Sequence, residues 1–312
     1  MLRLAALLAA AALLAGCARA HCTGRTGPCT GYGSLDHGGR TRTFRIHLPA
    51  AYDGRAQLPL LLALHGRGGD GDGMERLAGL EPLSDREGFL VVYPDGVERS
   101  WNDRRGVTPA SRKGVDDAGF LVALLDHVAA TWKVDARRTY VTGMSNGAFM
   151  THQLACERAD RLAAAAPVTG TLTVEQLPTC TPSRTVPMVL FHGTLDPFVL
   201  HEGGALEKAS GGTGLSAAQT RQKWAELDGC SPAPVVTGEP DLDREDGTTV
   251  RREAHGGCRD DASVVLYTIE GGGHTWPGGW QYLGEWLVGR TSRDVSASEA
   301  MWEFMRGHAL PP

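Results

Sequence analysis

"RRTYVTGMSNGAFMTHQLACE", from Arg137 to Glu157, is the stretch on which the reading of this chain turns. Its first part is β-branched and aromatic, with Tyr140, Val141 and Thr142, and suits a strand. Its second part carries a helical pattern. Gly143 and Gly147 bracket the change, and one hydroxyl, Ser145, stands between them. The glycines either make a compact strand-to-helix corner and nothing more, or they hold Ser145 out as a nucleophile. The stretch alone does not choose; a base and an acid elsewhere in the chain must.

The chain has 312 residues, 42% hydrophobic and 21% charged, an ordinary balance with material for one large core. The formal net charge is −5 and no Lys/Arg block stands out, so neither nucleic acid nor an anionic membrane surface is an expected partner.

The first twenty residues, "MLRLAALLAAAALLAGCARA", place Arg3 before an apolar run from Leu4 to Ala15. The run is too short to span a bilayer and fits a signal-peptide core. Two exits compete. Leu14-Ala15-Gly16-Cys17 resembles a bacterial lipobox, in which Cys17 would carry a lipid anchor. Ala18-Arg19-Ala20 fits cleavage after Ala20 and free secretion. Either exit predicts export, to the medium or to the bacterial cell envelope.

Of seven cysteines, Cys17 is the spare. Cys22, Cys29, Cys156, Cys180, Cys230 and Cys258 remain, and an even set in an exported chain points to disulfides. Pairing nearest in sequence is expected: Cys22–Cys29, Cys156–Cys180 and Cys230–Cys258. With no C-x-x-C and no H-x-x-x-H, neither a metal nor another cofactor is expected.

Apolar runs at 43–48, 58–66, 88–96, 139–145, 186–196 and 262–274 read as strands. Several end in glycine, as strands buried on both faces would. Helical spacing fills the gaps: Asp117 to Trp132, Asn146 to Asp160, Leu215 to Leu227, and a capping box Ser296-x-x-Glu299 opening a helix through Met305. This alternation predicts an α/β fold, a mostly parallel sheet covered on both faces in a single domain. Ser231 to Gly257 reads as an excursion with a hairpin, stapled at its base by Cys230 and Cys258.

In such a sheet functional groups gather beyond the carboxyl ends of the strands. Ser145, Asp196 and His274 each follow an apolar run. A serine hydroxyl needs a base to take its proton, which His274 can do, and a carboxylate such as Asp196 fixes the imidazole tautomer. The developing oxyanion needs donors: the N–H of Asn146, and the N–H of Arg67 in "LHGRGGDGDG", with Gly66 the near alternative. His192 reads as a packed histidine, His255 and His308 as surface, and Asp241, Asp243 and Asp246 as solvated. Asp70 and Asp72 hint at a calcium loop, but Glu75 stands where that loop needs glycine.

"LLALHGRGGD", "VVYPDG", "SWND", "VDDAGFLVALLDHV", "YVTGMSNGAFMTHQLAC", "VLFHGTLDPFV" and "GGGHTWPGG" together resemble the secreted α/β-hydrolases that include polyhydroxybutyrate depolymerase-like esterases, feruloyl esterases and acetylxylan esterases. The motifs span most of residues 43–280. The resemblance implies an α/β-hydrolase fold and Ser145, Asp196 and His274 as a triad. It implies a serine carboxylester hydrolase, and Trp101 and the Trp276 loop near the substrate. The chain is expected to divide into a signal peptide (1–20), an N-terminal segment (21–42) and a catalytic domain (43–312). Depolymerases that attack solid polymer often carry a linker and a binding domain, and neither is seen here. The expected substrate is therefore a small feruloyl or phenolic ester, a short hydroxyalkanoate, or an oligomeric polyester or polysaccharide ester. Trp276, Trp280, Tyr282 and Trp286 could wall an aromatic group. An acyltransferase on the same scaffold and a non-catalytic cell-surface lipoprotein are the rival readings.

Overall fold

The computed structural model describes residues 22–209 and 211–312; the expected signal peptide, Cys17 and the Ala20 cleavage site lie outside them. The strands are β1 (Cys29–His37), β2 (Arg40–Leu48), β3 (Leu58–Leu64), β4 (Leu90–Pro94), β5 (Val134–Met144), β6 (Ala164–Val168), β7 (Met188–Gly193), the short β8 (Gly204–Ala205) and β9 (Thr213–Gly214), β10 (Val235–Gly238), β11 (Thr249–His255) and β12 (Val264–Glu270). The helices are α1 (Gly71–Ala78), α2 (Glu81–Glu87), α3 (Pro109–Arg112), α4 (Asp117–Thr131), α5 (Asn146–Glu157), α6 (Ala217–Asp228), α7 (Glu285–Val288) and α8 (Ala297–Met305).

One 10-stranded sheet runs in the order β1-β2-β4-β3-β5-β6-β7-β12-β11-β10. From β4 to β12 neighbouring strands are parallel, and an antiparallel hairpin closes each edge. The parallel centre explains the unbroken apolar runs. Side chains alternate across a strand, so Leu60, Leu62 and Leu64 of β3 join the core under α4, α5 and α6. Leu61 and Ala63 join the core under α1, α2 and α8. Each fully buried leucine contributes roughly 1.5–3 kcal/mol, so one polar residue inside β3 would oppose the whole layer.

The helix starts follow local chemistry. Asp116 caps α4 by accepting from the Gly119 N–H, and Ser216 with Gln219 closes a full capping box on α6. The box expected at α8 is half made. Ser296 accepts from the Glu299 N–H, but the Glu299 carboxylate takes Arg86 at 2.5 Å instead of returning to the cap.

Two strands of the main sheet escape the sequence pattern. β6 is alanine-rich, and alanine carries little strand signal, yet all its residues are buried. β1 lies within the expected N-terminal segment but pairs with β2 along its whole length, so the sheet begins at Cys29 rather than at residue 43. The expected hairpin is present as β10 and β11, and it extends the main sheet through β12. Disulfides join Cys22 to Cys29, Cys156 to Cys180 and Cys230 to Cys258, the nearest-neighbour pairing. His255, expected at the surface, is buried; its Nδ1 lies 2.8 Å from the Ser231 carbonyl, beside the Cys230–Cys258 staple. Among the described residues no helix is long and apolar enough to cross a membrane.

Candidate active site

Ser145 sits between β5 and α5 with φ 56° and ψ −117°. A positive φ is strained for any residue but glycine, and here the neighbours impose it. A Cβ on Gly143 would come within 2.5 Å of the Gly147 carbonyl oxygen, and one on Gly147 would strike the Leu64 carbonyl at the end of β3. Glycine at both places lets the corner pack against the central strand. Ser145 then projects into a cavity of 490 Å³ that is also lined by His65, Gly66, Arg67, Asn146 and His274.

His274 follows the glycine run after β12. A side chain on Gly273 would collide with the Val288 carbonyl, and the His274 N–H donates to that carbonyl at 2.6 Å. So α7 backs the histidine closely. His274 Nδ1 lies 2.7 Å from Asp196 Oδ2, with both side chains buried. The other Asp196 oxygen accepts from the N–H groups of Phe198 at 2.8 Å and Val199 at 2.9 Å. Burial raises the Asp196 pKa, but the His274 imidazole and these hydrogen bonds outweigh it and hold the carboxyl below the usual carboxylate range. An ionised Asp196 must therefore receive a proton from Nδ1, which leaves His274 Nε2 free as a base.

His192, the competing histidine, stands 3.8 Å from Asp196. Its Nε2 donates to the Val199 carbonyl at 2.8 Å, and burial lowers its pKa. It is a neutral packing group.

The loop after β3 is shaped by His65, which the sequence reading did not single out. The Gly96 N–H donates to His65 Nε2 at 2.9 Å, so the ring proton is on Nδ1, 2.7 Å from the Gly66 carbonyl. That carbonyl also accepts from the Gly69 N–H at 3.0 Å. In a planar trans peptide the N–H points opposite the C=O. Fixing the Gly66 carbonyl therefore aims the Arg67 N–H the other way. Among the described residues neither the Arg67 nor the Asn146 backbone N–H meets an acceptor. Both are available to a ligand oxygen.

The family model described as esterase PHB depolymerase matches residues 43–177. The candidate esterase NocK of Nocardia uniformis subsp. tsuyamanensis is 31% identical over 86% of this chain and 80% of its own length. The chain belongs to the PHB depolymerase esterase family. Feruloyl esterase B of Piromyces equi is 29% identical over 73% of the esterase, which spans only 42% of that longer protein. Feruloyl esterase D of Neurospora crassa is 27% identical over 76% of the esterase and 74% of its own length. Among solved structures, the acetyl xylan esterase from Aspergillus awamori shares the fold, with TM-score 0.58, 17% identity and coverage of 88% and 98% of the two chains.

Two expected substrate contacts of the esterase are corrected. Trp101 is 0% exposed. Its indole N–H donates to the His65 carbonyl at 2.8 Å and its backbone N–H to Asn146 Oδ1 at 2.8 Å, so it braces the serine corner from behind. Trp276 is 1% exposed and its indole N–H donates to Ser298 at 3.0 Å on the α8 side. The loop turns at Thr275, so the residue two places from His274 faces away from the cavity. Trp280, 55% exposed, and Tyr282 line the cavity instead. Trp286 is exposed outside it.

A second set of residues was also missed. Asn146 Nδ2 donates to Asp103 at 2.6 Å, and Asp103 pairs with buried Arg105 at 2.6 Å. Arg105 donates onward to the carbonyls of Ala209 and Gly211 at 3.0 Å, and its guanidinium lies 4.0 Å from the Phe149 ring centre. The "SWND" motif carried this signal. Its aspartate locks the asparagine after the serine. Asp70 and Asp72 do not converge: Asp70 caps α1 and Asp72 accepts from Tyr32.

Proposed function

We propose that the esterase hydrolyses carboxylic esters through an acyl-enzyme on Ser145, with His274 as base and acid and Asp196 as its orienting carboxylate. The observation that carries this is the buried 2.7 Å contact between Asp196 and His274 behind the cavity that Ser145 enters. His274 Nε2 takes the Ser145 proton as Oγ attacks the ester carbonyl. The N–H groups of Asn146 and Arg67 receive the oxyanion. Collapse expels the alcohol, which takes the proton back from His274. Water, deprotonated by the same Nε2, then releases the acid and restores Ser145.

The acyl or alcohol group lies against Met74, Leu77, Phe198 and Trp280, an apolar wall suited to a phenolic acid or a short hydroxyalkanoate. Relatives named as feruloyl esterases support the phenolic reading. Export, by lipidation at Cys17 or cleavage after Ala20, is supported by the three disulfides, which persist in oxidising compartments. The test is labelling with a fluorophosphonate followed by peptide mapping, alongside turnover of feruloyl, acetyl and hydroxybutyrate esters. A label on Ser145 with ester turnover is expected. An unlabelled, inactive but folded protein would return the chain to the binding-lipoprotein reading.

A further inference from the structure

The protein as a whole is acidic, with 36 Asp and Glu against 31 Lys and Arg. The cavity reverses that sign. Arg67, Arg76, Arg105 and Lys208 line it, and no aspartate or glutamate does. Asp196 is screened behind His274, and Glu207, the sequence neighbour of Lys208, is not among the lining residues. Arg105 is neutralised by Asp103. The other three are not: among the described residues none of Arg67, Arg76 or Lys208 makes an ion pair. All three are exposed at the rim of an apolar cavity.

Arg76 stands between two concavities. With Leu77 and Trp280 it forms the wall shared between the cavity and an adjoining groove of 320 Å³. On the groove side Arg86 and Glu299 pair with each other at 2.5 Å, so Glu299 does not neutralise Arg76. On the cavity side no carboxylate lines the wall. A cleft lined by one sign of charge over low-dielectric walls concentrates ligands of the opposite sign.

We infer that the natural substrate is an acidic ester: a soluble ester bearing a carboxylate, held by Arg76 and Lys208 with Arg67, while Ser145 attacks the ester bond. This rests on the esterase reading above and names the substrate class for that site. The carboxylate could belong to the acyl part or to the alcohol part, and two substrate pairs separate these. On the acyl side the pair is the 4-nitrophenyl monoester of adipate and its primary amide. On the alcohol side it is 3-butanoyloxybutanoate and its primary amide. In each pair the amide matches the carboxylate in size and lacks only the charge.

The readout is the ratio of kcat/KM for carboxylate over amide, measured at low salt and at high salt, in wild type and in the double variant Arg76→Gln, Lys208→Gln. In at least one pair the ratio is expected to exceed about tenfold at low salt. It should fall towards one as the Debye length shrinks from about 10 Å at 0.1 M salt to about 3 Å at 1 M, and fall about tenfold in the double variant. A ratio of one or below in both pairs, from protein whose Ser145 takes the fluorophosphonate label, would overturn the acidic-ester assignment alone. Failure to hydrolyse any of the four compounds, with no label on Ser145, would overturn the esterase reading and this inference with it.

Discussion

Asp196 Oδ2 lies 2.7 Å from His274 Nδ1, while Asp196 Oδ1 accepts from the Phe198 and Val199 N–H groups. The two oxygens therefore do different work, and one substitution separates them. Asp196→Asn keeps a carbonyl oxygen for the two backbone donors and turns an NH2 towards His274. The imidazole then accepts at Nδ1 and carries its proton on Nε2, the wrong tautomer for a base. The variant is expected to fold normally and to lose on the order of 10⁴ in kcat. Steady-state kinetics with a thermal melt checks this; a kcat within tenfold of wild type would remove Asp196 from the mechanism.

The tryptophans of the loop after His274 divide into a packing group and a surface group. Trp276→Ala should cost stability, about 3–5 kcal/mol for a large buried aromatic, with no preference between substrates. Trp280→Ala should leave the melting temperature near wild type and lower kcat/KM for phenolic esters more than for acetyl esters, since the exposed ring faces the cavity. Melting curves and a feruloyl/acetyl activity ratio for both variants decide it. The reverse pattern would put Trp276, and not Trp280, against the substrate.

Asp228 ends α6 with one oxygen on the Val186 N–H at 3.0 Å and the other without a partner among the described residues. Burial, which outweighs the Val186 hydrogen bond and the nearby Arg259 and Arg184, pushes its carboxyl up to about 7. An unfolded aspartate titrates near 3.9. Between those values the folded chain holds a proton that the unfolded chain has released. Stability therefore falls as pH rises through this window and stays lower above it. Asp228→Asn keeps the acceptor and abolishes the charge. Its gain in melting temperature over wild type should be larger near pH 8 than near pH 5. Equal gains at both would exclude the titration of Asp228 as the cause.

The sequence made the layered sheet and the order of its functional residues legible for a physical reason. A central strand such as β3 is buried on both faces and reads as an unbroken apolar run, and the serine corner must carry glycines because Gly147 meets the Leu64 carbonyl. What stayed hidden was direction. β6 is made of small residues that signal no strand. Trp101 and Trp276 declare large apolar surface, but not which way a loop turns them. Trp101 faces inward because its indole N–H finds the His65 carbonyl, and Trp276 because it finds Ser298. The Asn146–Asp103–Arg105 chain joins residues far apart in sequence, and pattern along the chain cannot show that they meet. The cationic cavity is hidden for the same reason, since Arg67, Arg76 and Lys208 form no run.

The central claim is that Ser145 is the nucleophile, and the kcat of Ser145→Ala on a soluble activated ester tests it most directly. The alanine removes only Oγ from a corner whose shape is set by Gly143, Gly147 and the end of β3, so the fold and the cavity should persist. The expected loss is on the order of 10⁶, leaving the contribution of the oxyanion donors and of binding. A folded Ser145→Ala protein that retained a tenth of the wild-type kcat would contradict the account.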